Sequence, residues 1–239
     1  EWVTTNPNCK FVVTIGNPHS IARRTISSKL ILYGLNPLTV MGPYVSIGPN
    51  TSIGVGAQIH PGVIINPSVS IGDYCIINTR ALIEHDDILE SGVEVGPGAI
   101  LCGEVQVGEN TWIGAGATVK DKIIIGKNCI VGAGAVVVKD VPDNSVVVGN
   151  PAKFLKSTTT SSGNHKGWDS TVYYNYENLP PTKSLLSDSW VTKESQRLPL
   201  TPQELKLVKD RNQLLLEYIK KGNSILDFGG SLGFSYLSC

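Results

Sequence analysis

Aliphatic residues recur every six positions along the middle of the chain. Between residues 41 and 137 each sixth residue is aliphatic, and the residue four places later is small or β-branched in every repeat except at Asp87. The aliphatic positions are Met41, Ile47, Ile53, Ile59, Ile65, Ile71, Ile77, Ile83, Leu89, Val95, Leu101, Val107, Ile113, Val119, Ile125, Val131 and Val137. The run therefore contains seventeen hexads in one unbroken register.

A six-residue period predicts a parallel β-helix. It fits neither the period of an α-helix nor the alternation of a half-buried strand. In a parallel β-helix each hexad forms one short strand and a corner, and three hexads close a triangular coil of about 18 residues. Residues one such coil apart stack on the same face. Glycine often follows the aliphatic residue, as at Gly48 and Gly96, and we expect it to allow a tight turn.

The N-terminal residues indicate part of an α/β unit. Residues 11–16 form an apolar run that ends in glycine and predicts a buried strand, and residues 21–34 predict a helix with Arg23, Arg24 and Lys29 facing outward. One strand and one helix cannot bury a core alone. We therefore expect residues 1–36 to be a truncated remnant of a larger N-terminal α/β domain, followed by the β-helix domain over residues 37–156.

The C-terminal residues indicate an incomplete α/β segment. Residues 157–200 are typical of a polar linker followed by an irregular stretch. Thr201, Pro202 and Glu204 have the spacing of a helix start, and residues 225–228 predict a strand. A glycine-rich turn at residues 229–233 follows that strand. Residues 201–239 therefore predict the opening of a further domain.

Charge and cysteine content narrow the possible functions. Lys plus Arg and Asp plus Glu each number 20, so the net charge gives no reason to expect nucleic acid or an anionic membrane as a partner. No apolar run approaches the roughly 20 residues that span a bilayer. The five cysteines are widely spaced, and Cys75 and Cys129 fall at inward positions. We expect buried, reduced thiols and a cytoplasmic protein.

Only two histidines, His60 and His85, lie within the repeats. His85 comes two residues after the inward Ile83, which puts it at an outward corner, and Gly103 takes the equivalent place one coil further on. Asp86 follows His85 directly. An exposed imidazole with an adjacent carboxylate, beneath a glycine N–H, has the composition of a general base beside an oxyanion donor. A solvated surface histidine is the open alternative.

Several motifs resemble those of the left-handed β-helix (hexapeptide-repeat) acyltransferases. They are residues 78–86 (Asn-Thr-Arg-Ala-Leu-Ile-Glu-His-Asp), 96–99 (Gly-Pro-Gly-Ala), 112–117 (Trp-Ile-Gly-Ala-Gly-Ala), 132–137 (Gly-Ala-Gly-Ala-Val-Val) and 149–153 (Gly-Asn-Pro-Ala-Lys). The similarity is greatest to the sugar O/N-acetyltransferases, a group that includes sialic-acid O-acetyltransferases and UDP-amino-sugar N-acetyltransferases. The resemblance implies a left-handed coil and a homotrimer with sites between neighbouring subunits.

The same resemblance implies acetyl transfer from acetyl-CoA to a hydroxyl or amino group of a sugar or nucleotide sugar. His85 would take the proton from the acceptor, and Asp86 would orient the imidazole and raise its basicity. The Gly103 N–H would hold the thioester oxygen as it becomes an oxyanion. Transfer would be direct, without an acyl-enzyme.

The resemblance also implies a place for acetyl-CoA in a corner groove. The groove would be lined by Glu94, Ala115 and Ala133, with Lys153 at a CoA phosphate. Glu94 stands where some family members have a second histidine. Asp87 stands at an inward position where others have cysteine, so it needs partners or a raised pKa. Of the family's domain that binds the nucleotide sugar, we expect only about residues 11–36.

A second resemblance lies at the C-terminus. Residues 225–233 resemble the first motif of class I S-adenosylmethionine-dependent methyltransferases, in which an acidic residue precedes a glycine loop. S-adenosylmethionine would be a cofactor only of a complete domain. An alternative function is therefore an inactive β-helix that trimerises a methyltransferase. We expect no metal site, because a β-helix of the carbonic anhydrase type needs three converging imidazoles and the two coil histidines are well separated.

Overall fold

The computed structural model describes residues 9–158 and the strand Ile225–Asp227. A parallel β-helix of two-residue strands occupies its centre, from Val40–Met41 to Val136–Val137. Each of these strands ends on the aliphatic residue of one hexad. The predicted β-helix and its register are therefore confirmed.

The strands stack in three parallel sheets, which form the three faces of the coil. The first face contains Val40–Met41, Gln58–Ile59, Ile76–Ile77, Glu94–Val95, Trp112–Ile113, Ile130–Val131 and Ser145–Val148, closed by the antiparallel strand Lys153–Ser157. The second face contains Ser46–Ile47, Ile64–Ile65, Leu82–Ile83, Ile100–Leu101, Thr118–Val119 and Val136–Val137. The third face contains Ser52–Ile53, Ser70–Ile71, Ile88–Leu89, Gln106–Val107 and Ile124–Ile125.

The core fills the inside of the coil with the aliphatic and small residues of the hexads. Cys75 and Cys129 are buried there as free thiols, as predicted. Met41 and Ile47 differ, since they are 43% and 42% exposed. They belong to the first coil, which has no coil beneath it in the described part of the chain. Their side chains therefore stay partly exposed although they point inward.

The corners turn at a position other than the predicted glycines. Left-handed φ angles fall three residues after each aliphatic from Met41 to Val131, as at Tyr44 (φ 60°) and Asp86 (φ 61°). The glycine directly after the aliphatic does not have such a φ, so its predicted role in turning is wrong. At Gly48 a Cβ would lie 2.4 Å from the backbone nitrogen of Pro67. These glycines are needed because the next coil passes too close for a side chain.

The N-terminal residues form a small α/β unit. The helix Ser20–Leu32 connects the strands Lys10–Val12 and Asn36–Pro37, which pair in parallel. The predicted strand and helix are therefore present, although the strand is shorter than expected. The predicted C-terminal strand is present as Ile225–Asp227, and it pairs in parallel with Lys10–Val12. The glycine turn at 229–233 and the predicted helix start at 201–204 lie outside the described residues.

Arg23 is the residue of this unit whose predicted position is wrong. It was expected to face outward, but it is fully buried between the helix and the first face of the coil. Its guanidinium donates hydrogen bonds to the carbonyl oxygens of Ile15, Tyr74 and Gly92. Gln58, another buried polar residue of the first face, donates to a carbonyl of the same unit. The helix therefore docks through polar side chains.

In the described part of the chain, no helix is long and apolar enough to cross a bilayer.

Candidate active site

His85 lies at the corner between the second and third faces. The strand Leu82–Ile83 ends two residues before His85, and the left-handed conformation of Asp86 turns the chain towards the third face. The Asp86 N–H donates to the Pro67 carbonyl in the coil below (3.1 Å), and the Glu104 N–H donates to the His85 carbonyl from the coil above (2.9 Å). Both neighbouring coils thus fix the backbone that carries the imidazole.

The imidazole lies directly against Gly103. A Cβ added to Gly103 would be 2.6 Å from His85 Nε2 and 2.7 Å from its Cε1. The backbone of Gly103 does not have a left-handed φ, so what excludes a side chain here is the imidazole rather than the turn. The stacking expected from the spacing of the two residues is present. Their catalytic roles stay a prediction.

Asp86 sets the tautomer and basicity of His85. Its Oδ2 is 2.8 Å from His85 Nδ1, so a proton on Nδ1 leaves the lone pair of Nε2 free on the side of Gly103. The hydrogen bond that His85 donates to Asp86 raises the pKa of His85, and the charges of Asp86, Glu84 and Glu104 act in the same direction. An imidazole held in this way is a competent general base.

The Gly103 N–H donates a hydrogen bond to no residue in the part of the chain that the structure describes. Gly103 itself is buried, with the imidazole of His85 against it. Acyl transfer needs a proton acceptor and a hydrogen-bond donor for the oxyanion. The Nε2 lone pair and the unpaired Gly103 N–H provide these two groups.

Replacing Gly103 with alanine is expected to displace the imidazole while leaving the fold intact, because only the flexible end of His85 blocks the Cβ. We expect kcat for acetyl transfer to fall by about 10²-fold, the usual cost of misplacing a reacting group by about 1 Å. Asp121 occupies the same corner one coil further on and is exposed, so Asp121→Ala is the matched control with unchanged kcat. Equal kcat values for Gly103→Ala and wild type would contradict the arrangement.

Ala115 and Ala133 stack at a different corner. Both are exposed, and the backbone N–H of Gly134 donates to the Ala115 carbonyl (2.9 Å), which joins the two coils. They follow strands of the first face and so lie at the corner between the first and second faces. This corner and the His85 corner are the two edges of the second face. Lys153 is exposed at the start of the closing strand.

Glu94 is buried beneath the N-terminal unit. Its Oε1 accepts hydrogen bonds from Asn17 (2.9 Å) and Asn78 (3.4 Å), and its Oε2 lies 3.5 Å from Nη1 of Arg23. In the structure the carboxylate thus holds the helix on the first face. Its predicted contact with the thioester arm stays a prediction.

Glu104 was missed by the sequence reasoning, although a signal for it exists. It lies one coil above Asp86 and acts on the same imidazole. Stacking every corner residue on its counterpart in the next coil would have found it.

Among the described residues no group of three His, Cys, Asp or Glu is placed to hold a metal ion.

Comparison with known proteins relates the chain to one family. A family model described as bacterial transferase hexapeptide (six repeats) matches residues 104–139. A variant of perosamine N-acetyltransferase from Caulobacter crescentus, solved in complex with CoA and GDP-perosamine, is 33% identical with a TM-score of 0.63, over 65% of this chain and 73% of that chain. No curated protein sequence matches the chain.

Two further solved structures are similar. The acetyltransferase domain of PglB from Neisseria gonorrhoeae, in complex with acetyl coenzyme A, is 32% identical with a TM-score of 0.58, over 61% of this chain and 70% of that chain. WeeI from Acinetobacter baumannii is 34% identical with a TM-score of 0.59, over 62% of this chain and 72% of that chain. Together with the hexad register, these matches show that the chain belongs to the hexapeptide-repeat transferases and is an acyltransferase built on a left-handed β-helix.

Proposed function

We propose that the chain transfers the acetyl group of acetyl-CoA to the amino group of a sugar carried on a nucleotide, with His85 as the general base. The observation that carries the proposal is the position of the imidazole, which has Nδ1 on Asp86 and Nε2 against Gly103. The perosamine N-acetyltransferase structure contains CoA and a nucleotide sugar, and the PglB domain contains acetyl coenzyme A. These ligands support the same pair of substrates here.

The reaction follows from the groups at the corner. The acceptor nitrogen attacks the thioester carbonyl carbon while Nε2 of His85 takes a proton from that nitrogen. The carbonyl oxygen becomes an oxyanion and accepts a hydrogen bond from the Gly103 N–H. Collapse of the tetrahedral intermediate breaks the C–S bond, and the imidazolium returns its proton to the departing thiolate. The products are an N-acetyl sugar and CoA.

Cys102, next to Gly103, does not offer an alternative nucleophile. Burial raises the pKa of its thiol, and the charge of Asp121 adds to the effect. The thiolate, which is the reactive form, is therefore scarce at neutral pH. This supports direct transfer in place of an acyl-enzyme.

The charges around His85 support an amine as the acceptor. Glu84, Asp86 and Glu104 surround the imidazole, and Lys122 is paired with Glu104 at 3.5 Å. A region with this excess of carboxylates favours an amino group, which binds as the ammonium ion and loses one proton to solvent before its neutral nitrogen attacks. The perosamine enzyme is itself an N-acetyltransferase.

A homotrimer explains how one site could contain both corners. Within one chain the alanine corner and the His85 corner lie at opposite edges of the second face. Exposed isoleucines flank the His85 corner on both sides, Ile64 and Ile100 on the second face and Ile88 and Ile124 on the third. A second copy of the chain could cover these side chains and bring its own alanine corner, with bound acetyl-CoA, to His85. Lys153 would then contact a CoA phosphate.

A thiol-release assay tests the proposal. With acetyl-CoA and a nucleotide-linked amino sugar, we expect stoichiometric release of CoA thiol and formation of the N-acetyl product by mass spectrometry. The matched acceptor with a hydroxyl in place of the amino group is expected to react at least about tenfold more slowly, since it lacks the charge that the carboxylates favour. Faster turnover of the hydroxyl acceptor would show O-acetylation. Thiol release no faster than the blank with either acceptor would favour the inactive scaffold.

A further inference from the structure

Asp87 is a buried carboxyl group that the proposed reaction does not use. It is fully buried in the column of inward residues between Val69 and Val105. The other inward residues of its coil are apolar, namely Ile77, Ala81, Ile83, Leu89, Val93 and Val95. An ionised carboxylate in such a column is costly unless it is paired, so the position needs a physical reason.

The two oxygens of Asp87 have different surroundings. Oδ1 accepts a hydrogen bond of 2.7 Å from the Val105 N–H in the coil above. Oδ2 is buried and has no hydrogen-bond partner among the described residues. A carboxylate with one satisfied and one unsatisfied oxygen is unfavourable, whereas a carboxylic acid carries a proton on the second oxygen and can donate it.

Other polar residues at inward positions show where such a donor would point. Four hydroxyl or thiol groups at these positions donate to the carbonyl oxygen 15 residues later: Thr39 to Gly54 (3.1 Å), Thr51 to Asn66 (3.2 Å), Cys75 to Glu90 (3.2 Å) and Thr111 to Gly126 (2.7 Å). Cys129, near the end of the coil, differs and donates to the Pro142 carbonyl (3.1 Å). The Thr111 oxygen also accepts from the Cys129 N–H, 18 residues later, at 2.9 Å. The Val105 N–H bond reproduces this second contact at Asp87. The first contact would fall on the carbonyl of Cys102.

We propose that Asp87 is held as a neutral carboxylic acid that donates from Oδ2 to the Cys102 carbonyl and so positions the Gly103 N–H for the oxyanion. The Cys102 carbonyl and the Gly103 N–H belong to one peptide group. A hydrogen bond to that oxygen fixes the plane of the peptide and polarises its N–H. Asp87 is thus a positioning residue, and this part of its role rests on the proposed function.

The titratable groups around Asp87 are consistent with a neutral acid. Burial raises its pKa to about 8, and the charges of Glu84 and Asp86 in its own coil act in the same direction. The Cys102 thiol and Glu104 are the titratable groups next to it in the coil above, and neither supplies a positive charge. Above about pH 8 the proton, and with it the donor, is lost.

Two variants separate this role from simple packing. Asp87→Asn keeps one acceptor and one donor but cannot ionise, so we expect kcat within about threefold of wild type at pH 7. The wild-type fall in kcat near pH 8 should be absent from this variant. Asp87→Val copies the residues above and below it in the column and removes both hydrogen bonds. We expect its kcat to fall about tenfold with an unchanged KM for acetyl-CoA, because weakening one oxyanion donor affects the transition state alone.

Stability measurements provide a readout that does not depend on activity. Because the folded pKa lies above the unfolded one, the contribution of Asp87 to stability is present below about pH 4 and is lost as the pH rises to about 8. The urea midpoint of the wild type should therefore fall over this range relative to that of Asp87→Asn. If Asp87→Asn folds poorly, Asp87→Thr, which copies Thr111, replaces it.

The inference is overturned by any of three results. These are a wild-type kcat in Asp87→Val, an alkaline limb shared by wild type and Asp87→Asn, and parallel pH profiles of the two urea midpoints. Failure of the proposed function would look different. The wild type would then release no thiol, while the difference between the midpoints would still report whether Asp87 is neutral.

Discussion

Replacing His85 with alanine is expected to lower kcat for acetyl transfer by about 10²- to 10⁴-fold, the range that a general base contributes. The variant loses the imidazole whose Nε2 lies against Gly103 in the described structure. His85 is exposed, so the fold and the melting temperature should not change. His60→Ala, at a histidine on another corner of the coil, is the control and should keep wild-type kcat. Undiminished turnover in His85→Ala would remove this residue from the mechanism.

The pH dependence of kcat/KM is a second test of His85 as the general base. The base must be neutral, so kcat/KM should rise with pH through the pKa of His85, which Asp86 raises above its ordinary value. Asp86→Asn removes both the hydrogen bond to a charged partner and that charge. The acid limb of its profile should therefore move to lower pH, with a lower plateau because the imidazole is less basic. An acid limb at the same pH in both proteins would show that the limb belongs to another group.

Replacing Arg23 with alanine is expected to cost about 3–5 kcal/mol of unfolding free energy, because it leaves Glu94 buried without its cation. It also removes the donors to three backbone carbonyls, of which those of Tyr74 and Gly92 belong to the coil and that of Ile15 to the N-terminal unit. Arg24, the next residue, pairs with Glu109 at the surface, and Arg24→Ala should cost less than about 1 kcal/mol. Urea denaturation followed by circular dichroism measures both.

A double variant isolates the cause of this loss. In Arg23→Ala with Glu94→Gln no uncompensated charge is left, so part of the stability should return relative to Arg23→Ala alone. A double variant as unstable as the sum of the two single variants would show that the ion pair is not the reason. Equal losses for Arg23→Ala and Arg24→Ala would contradict the buried position of Arg23.

The sequence was sufficient for everything that the hexad period controls. Aliphatic spacing predicted the coil, and the number of residues in one coil predicted that His85 would lie under Gly103. Both follow from local repetition, which leaves little freedom once the coil forms. The glycines showed the limit of this reasoning, since at Gly48 the constraint comes from the backbone of the next coil and not from the conformation of the glycine itself.

Contacts between units could not be predicted in this way. The charge of an arginine favours solvent, and only the polar first face of the coil, with Gln58 and Glu94, makes the burial of Arg23 favourable. Asp87 was recognised as irregular, but its partner follows from contacts that recur at Thr51 and Thr111 and that no sequence pattern reveals. The separation of the alanine corner from His85, by contrast, was within reach of the sequence, because positions 85 and 115 are 30 residues apart and so are not a whole number of 18-residue coils apart.

A crystal structure of the chain with acetyl-CoA tests the central claim most directly. The account predicts the thioester carbonyl oxygen within about 3 Å of the Gly103 nitrogen, with Nε2 of His85 facing the carbonyl carbon across the space for the acceptor. A thioester that lies away from the His85 corner of every subunit, or a carbonyl oxygen turned away from Gly103, would contradict it.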